Sequence, residues 1–179
     1  MNTNRNKQNK NFRFCPKCSA KDFAQESEKL FICNKCQFNF YLNTAAAVAA
    51  IIKDNSGGIL MTIRKFNPMA GKLDLPGGFV DGNETAEEAL SREIKEELNL
   101  NVESLSYFTS VPNIYHFKEV TYNTLDLIYT CTVKSFENIK ACDDAYGYIF
   151  LNIDDIDTAK DVGLNSIKYI INQLQFEVN

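Results

Sequence analysis

Between Gly77 and Leu100 the chain crowds more glutamate onto one surface than a free helix readily tolerates. Glu93, Glu96 and Glu97 fall at i, i+3 and i+4, a spacing that puts all three on one face of an α-helix. Like charges so placed repel one another, and hard divalent cations bridged by carboxylate oxygens relieve that repulsion. The helix signals are good. Thr85 and Glu88 have capping-box spacing, and Ala86, Ala89, Leu90, Ile94 and Leu98 recur as one apolar stripe. Asn99 can adopt the left-handed conformation that ends a helix. Gly77 and Gly78 precede it and let the backbone approach a ligand or metal closely. An acidic helix face alone usually means a solvated surface. The fixed upstream context weighs against that reading: Gly78, five residues, Glu84, seven residues, then Arg92-Glu93.

The flanking sequence supplies strands. Ala45–Lys53 and Ile59–Lys65 are short apolar runs separated by Asp54-Asn55-Ser56-Gly57-Gly58, which reads as two strands and a turn. Residues 102–111, 120–133 and 146–151 read as further strands. The second of these alternates at Leu125, Leu127, Tyr129 and Cys131. Asp154–Thr158 reads as the start of a short helix. Leu164, Ile167, Ile170, Ile171 and Leu174 predict a final helix over 163–176. Strands, helix, strands and helix in that order predict an α/β sandwich with a mixed sheet.

Ahead of it lie two cysteine pairs, Cys15-Pro16-Lys17-Cys18 and Cys33-Asn34-Lys35-Cys36. Each two-residue gap lets both thiolates reach one tetrahedral ion, and two such pairs complete a Cys₄ zinc site. About thirty residues hold too little core to fold alone, and a structural metal supplies the deficit. Redox-active cysteines are the alternative that the paired spacing disfavours. Phe14 and Phe31 are expected to pack around this ribbon, and Cys131 in the core; Cys142 receives no role. The expected organisation is a disordered polar tail at 1–11, a zinc ribbon at 12–42 and a catalytic domain at 43–179.

The run from Gly78 to Leu100 resembles the Nudix box, with Asn99 standing where that family has glycine. The resemblance implies an α/β/α sandwich, with the box as loop–helix–loop. It also implies Mg²⁺ or Mn²⁺ held by Glu93, Glu96 and Glu97, with the Gly78 carbonyl as a further ligand. Glu84 and Arg92 would hold loop and helix together, and Glu84 is a further candidate metal ligand. Bound metal would polarise a phosphoanhydride and activate water. The general base is left open between Glu93 and the loop acids Asp143 and Asp144.

A ribbon ahead of the box is similar to the NADH pyrophosphatase subgroup. Its Ser-Gln-Pro-Trp-Pro-Phe-Pro stretch is missing here; the chain has no Trp, and Ser110–Phe117 stands in that place. Pro112 and Tyr115 lie near, but not at, the position that sorts other Nudix groups. Tyr115 and Phe117, and Tyr122 with them, can stack on a base or nicotinamide; aromatics at a strand end are more commonly core. His116 is expected in an exposed loop. Hydrolysis of a nucleoside diphosphate linked to a second moiety (NADH, ADP-ribose or a similar dinucleotide) is the expected reaction. A non-catalytic ligand sensor and a clean-up hydrolase of modified nucleoside triphosphates are the alternatives. Residues 43–179 carry eleven Lys/Arg against twenty Asp/Glu, a balance that repels polyphosphate unless cations intervene. With no apolar run long enough to cross a bilayer and no secretory pattern, a cytoplasmic protein without a membrane partner is expected. Five net positive charges over residues 1–42 are little reason to expect a nucleic-acid partner. A homodimer is compatible with the split substrate sites of many Nudix enzymes.

Overall fold

In the computed structural model, residues 11–178 are described; the expected disordered tail, apart from Asn11, lies outside the described residues. The described residues divide into two compact units, one of those up to Thr44 with 114–123 and one of 45–113 with those from Thr124 onward. In the first, β1 (Phe23–Gln25), β2 (Leu30–Cys33) and β3 (Asn39–Tyr41) form an antiparallel sheet in sequential order.

The second unit is organised by β4 (Ala45–Ile52), whose apolar residues lie on both parities and therefore need cover on both faces. The turn after it closes through Asp54, whose Oδ1 accepts from Ser56 N at 2.9 Å and Gly58 N at 2.8 Å. It leads into β5 (Ile59–Arg64), which is followed by β6 (Leu73–Asp74) and β7 (Gly77–Phe79). Helix α1 (Ala86–Leu98) comes next, then β8 (Val102–Phe117), β9 (Val120–Val133), β10 (Ala145–Leu151), a 3₁₀ turn (Ile153–Asp155) and α2 (Asn165–Val178). One sheet runs β7-β4-β9-β8, with β4 and β9 parallel and β7 antiparallel; the other runs β10-β5-β6.

Side-chain parity assigns the layers. Val48, Ala50, Ile52 and Leu60 pack with Ala89, Leu90, Ile94 and Leu98 of α1. Ala49, Ile51, Ile59 and Met61 pack with Ile167, Ile170, Ile171 and Leu174 of α2. Sheet between helices is the α/β/α sandwich that the sequence leads one to expect. Cover on the second face also explains a departure from strand alternation. Thr124, Asp126 and Ile128 are buried although they fall on the supposedly outer parity of β9, and Leu125 is exposed. The third expected strand does not stop at Val111 but runs on to Phe117, carrying His116 on the strand and not in a loop. Pro112 is tolerated inside it because β8 is the edge strand.

Helix α1 starts and stops as its sequence demands. Thr85 Oγ1 accepts from Glu88 N at 3.2 Å, and the Glu88 carboxylate accepts from Thr85 N at 2.8 Å. Asn99 sits at φ 55°, ψ 26°, its N–H donating to the Lys95 carbonyl. Its side chain donates to the Asn138 carbonyl at 3.1 Å and accepts from Lys95 Nζ at 2.8 Å. Left-handed backbone costs a β-carbon residue roughly 1–2 kcal/mol, a cost asparagine lessens by hydrogen bonding. In urea unfolding, Asn99→Ala is expected to lose about 1–2 kcal/mol and Asn99→Gly less. Equal losses would assign the cap to the side-chain bonds alone.

Candidate active site and metal centre

The two cysteine pairs fold alike. In each, the residue after the second cysteine is left-handed, Ser19 at φ 57° and Gln37 at φ 58°. Its N–H donates to the carbonyl of the first cysteine at 2.8 Å. Ligand atoms of Cys15, Cys18, Cys33 and Cys36 all lie within 4.8 Å of one another. The Sγ atoms of Cys15 and Cys36 are 3.7 Å apart, as are those of Cys18 and Cys33. A tetrahedron with Zn–S near 2.3 Å has edges of about 3.8 Å, so the four sulfurs fit one zinc ion; a disulfide would need about 2.0 Å. Burial works against the Cys15 thiolate, but backbone hydrogen bonds with Cys18 and Lys17 bring its pKa down to about 7. Phe31 is buried beside the cluster, with Phe12, Phe23 and Phe40 around it. Phe14 does not join them: its ring is exposed, with Lys21 Nζ 5.9 Å above it.

The carboxylate face is built around one arginine. Arg92 binds Glu84 through both oxygens, at 3.1 and 2.7 Å, and the Phe79 carbonyl at 3.1 Å. Its remaining NH1 reaches Glu93 Oε1 at 2.9 Å and Glu96 Oε2 at 3.0 Å. Glu84 also accepts from Asp81 N at 2.7 Å. Glu84 and Arg92 thus bond the loop to the helix. The three glutamates share a face but are not gathered. Glu93 and Glu96 turn to Arg92, while Glu97 turns to the β7 backbone and accepts from Gly77 N at 3.1 Å.

Glu97 is only 9% exposed. Burial, helped by the charges of Asp74, Glu93 and Asp144, pushes its pKa up to about 8 against the Gly77 hydrogen bond. Burial also raises Glu93, joined by Glu96 and Asp143 and opposed by Arg92. The glycines before the helix serve close approach, though to protein. A β-carbon on Gly77, at φ +149°, would strike the Val48 carbonyl, and one on Gly78 would strike the Glu93 carboxylate.

Asp143 and Asp144 stand on a loop docked against the end of α1. Lys140 N donates to the Leu98 carbonyl at 3.0 Å and Cys142 N to the Glu97 carbonyl at 2.8 Å. These bonds satisfy carbonyls that a helix end leaves without partners. Tyr115 and Phe117 belong to the unit that holds the cysteines, not to the unit of the box glutamates. Their rings lie 6.4 Å apart at 27°. His116 is exposed, with Nδ1 3.0 Å from Thr121 Oγ1.

Sequence reasoning missed a buried polar group behind Glu97. Asp74 pairs with Arg64 at 2.6 Å, and burial, partly offset by Arg64, raises its pKa. Asp126 accepts from Thr124 at 2.8 Å and Asn113 at 3.1 Å. The available signal was a lone acid between two leucines, Leu73-Asp74-Leu75 and Leu125-Asp126-Leu127.

The NUDIX domain family model matches residues 43–171. The chain belongs to the Nudix hydrolase family. The ADP-ribose pyrophosphatase of Methanocaldococcus jannaschii is 39% identical over 123 residues, 67% of this chain and 69% of that protein. The NAD-capped RNA hydrolase NudC of Yersinia pestis is 33% identical over 100 residues, 56% of this chain but only 38% of that one. A Nudix hydrolase from Nitrosomonas europaea has the same fold at TM-score 0.68, with 20% identity over 92% of this chain and 91% of its own. Among the described residues no helix is long and apolar enough to cross a membrane.

Two outcomes follow for this Nudix chain. Glu97 is protonated in folded and unfolded protein below its ordinary pKa of 4.5, and ionises near 8 only when folded. Its contribution to stability is therefore fully present in acid and lost as pH rises from about 4.5 to about 8, on the order of a few kcal/mol. Urea unfolding in chelator should show that loss, and Glu97→Gln should flatten it. Separately, zinc measured by atomic absorption should approach one equivalent and fall away in Cys33→Ser.

Proposed function

We propose that this chain hydrolyses the phosphoanhydride of a nucleoside diphosphate linked to a second moiety, with ADP-ribose as the first substrate to test. The observation that carries the reading is the α1 face, where two glutamates with raised pKa share a surface with a third. Nearly dry carboxylates disfavour their own charge, and a divalent cation restores it. The donor set therefore fits Mg²⁺ or Mn²⁺, with Glu93, Glu96, Glu97 and the Gly78 carbonyl as its proposed holders. Such an ion would neutralise the diphosphate, polarise the phosphorus and lower the pKa of the attacking water.

The chain's own groups supply the rest. Glu93 and Glu96 would hold the ion in place of their bonds to Arg92, which would remain anchored on Glu84 and the Phe79 carbonyl. With an ion bound there, Glu97 would hold it as the ionised carboxylate, and the Gly77 N–H that donates to Glu97 would keep that carboxylate aimed. The water's proton passes to Glu93 or to Asp143 or Asp144 on the docked loop. Tyr115 and Phe117 are proposed contacts for the second moiety. A zinc ribbon at 12–42 ahead of a catalytic domain at 43–179 is the organisation we propose, supported by the family match at 43–171 and the four-sulfur cluster. ADP-ribose is favoured over NADH because the ADP-ribose pyrophosphatase relative aligns over two thirds of the chain, and the NADH subgroup's Trp-containing stretch is missing.

Phosphorus NMR with Mg²⁺ or Mn²⁺ tests the reading on ADP-ribose, NAD, NADH, FAD, NAD-capped RNA, diadenosine polyphosphates and nucleoside triphosphates. The expected result is ADP-ribose cleaved to AMP and ribose 5-phosphate, with turnover falling roughly 100-fold or more in Glu97→Gln. Separate Asp143→Asn and Asp144→Asn variants identify or exclude a loop base. No turnover of any compound by protein that binds metal would overturn the hydrolase reading.

A further inference from the structure

Two aromatic side chains stand exposed beside the box and take no part in the machinery described. Tyr146 is 79% exposed and Phe66 is 54% exposed. Among the described residues, neither ring stacks on another ring. Tyr146 owes its exposure to a register shift: Ala145 pairs with Arg64 and Gly147 with Ile63, so Tyr146 is the extra residue of a β-bulge. Bulges re-aim side chains and recur beside active sites.

Both rings are fixed to the loop that docks on α1. The Lys65 N–H donates to the Asp144 carbonyl at 2.9 Å, continuing the β5–β10 pairing past Arg64. Lys65 Nζ donates to the Asp143 carbonyl at 2.8 Å and also lies 4.9 Å above the Phe66 ring. The same loop is bonded to the Glu97 carbonyl through Cys142 N. From Cys142 to Tyr146 the chain spans at most roughly 14 Å. That short span keeps both rings on or beside a segment bonded to the end of the helix that carries the glutamates.

We propose that Phe66 and Tyr146 are the stacking contacts for the base of the substrate's nucleotide half, and that Lys65 positions them. This rests on the hydrolase reading and names the part of the substrate that these residues select. Stacking on aromatic faces is tolerant of base identity, so the site selects for an aromatic base over a bare sugar phosphate. The apolar rings remain in water in the free protein, and a bound base covers them.

The test is calorimetric binding of AMP and of ribose 5-phosphate, each with Mg²⁺, to the full chain. Wild type is compared with Phe66→Ala, Tyr146→Ala, Tyr146→Phe, Lys65→Gln and, as comparator, Tyr115→Ala. The exposure of Tyr146 and Phe66 makes loss of folding in their variants readily separable by circular dichroism. The expected result is AMP binding weakened roughly 10-fold in each alanine variant at 66 and 146, with Tyr146→Phe near wild type and ribose 5-phosphate binding unchanged in the variants at 65, 66 and 146. A smaller loss of AMP binding is expected for Lys65→Gln. Unchanged AMP binding, equal losses for both ligands, no AMP binding by wild type, or a loss confined to Tyr115→Ala would each overturn the proposal. ADP-ribose turnover by the same preparations reports separately on the hydrolase reading: inactive wild type that still distinguishes the two ligands through these rings would sink that reading and keep the aromatic site.

Discussion

Arg92 is the point on which the box depends. Its guanidinium spans from the Phe79 carbonyl on β7, through both oxygens of Glu84 in the loop, to Glu93 and Glu96 on the helix. A planar fork with five donors is suited to several acceptors at once, where an ammonium is a single point charge. The three carboxylates in turn hold the arginine firmly charged, the Glu84 pair most of all. Loop, strand and helix are thereby fixed around one cation, and only then does Glu97 meet the Gly77 amide. In the metal-free protein this internal cation also offsets part of the repulsion that the glutamate spacing creates.

The same residues explain why Gly77 and Gly78 precede the helix. The chain at Gly77 runs so close to Val48 that a β-carbon has no room, and at Gly78 the Glu93 carboxylate takes the space. A sequence reader assigns such glycines to a ligand's approach, but here the crowding comes from the protein itself. Strand β7 can then lie against β4, which carries the apolar contacts of both helices. The acidic face and the two cores are thus joined through a single strand rich in alanine.

Much of this was legible in the residues. Periodicity and capping located α1 almost to the residue, because Thr85, Glu88 and Asn99 each have a local chemical reason to be where they are. The cysteine spacing located a four-sulfur cluster for the same reason. What escaped was set by contacts distant in sequence. Nothing near Glu97 says that it is buried while Glu96 is not; that follows from Asp74, from β7 and from the loop at 138–144. The burial of Asp126 was hidden because period-two alternation presumes that one whole face is wet, and at Thr124, Asp126 and Ile128 that face is covered. Phe14 and Phe12 are equivalent by composition, and only the folded ribbon shows that Phe12 enters its core. The extension of β8 beyond Val111 was masked by Pro112, a residue that an edge strand accommodates.

The loop bearing Asp143 and Asp144 is held to α1 by main-chain amides at Lys140 and Cys142. Attachment of that kind asks nothing of the side chains along the loop. Side chains along the segment can be replaced without loss of these bonds, so long as proline, which has no amide hydrogen, avoids positions 140 and 142. Docking of the loop and the chemistry of its side chains are therefore separable, and substitutions at 143 and 144 can alter the second without undoing the first.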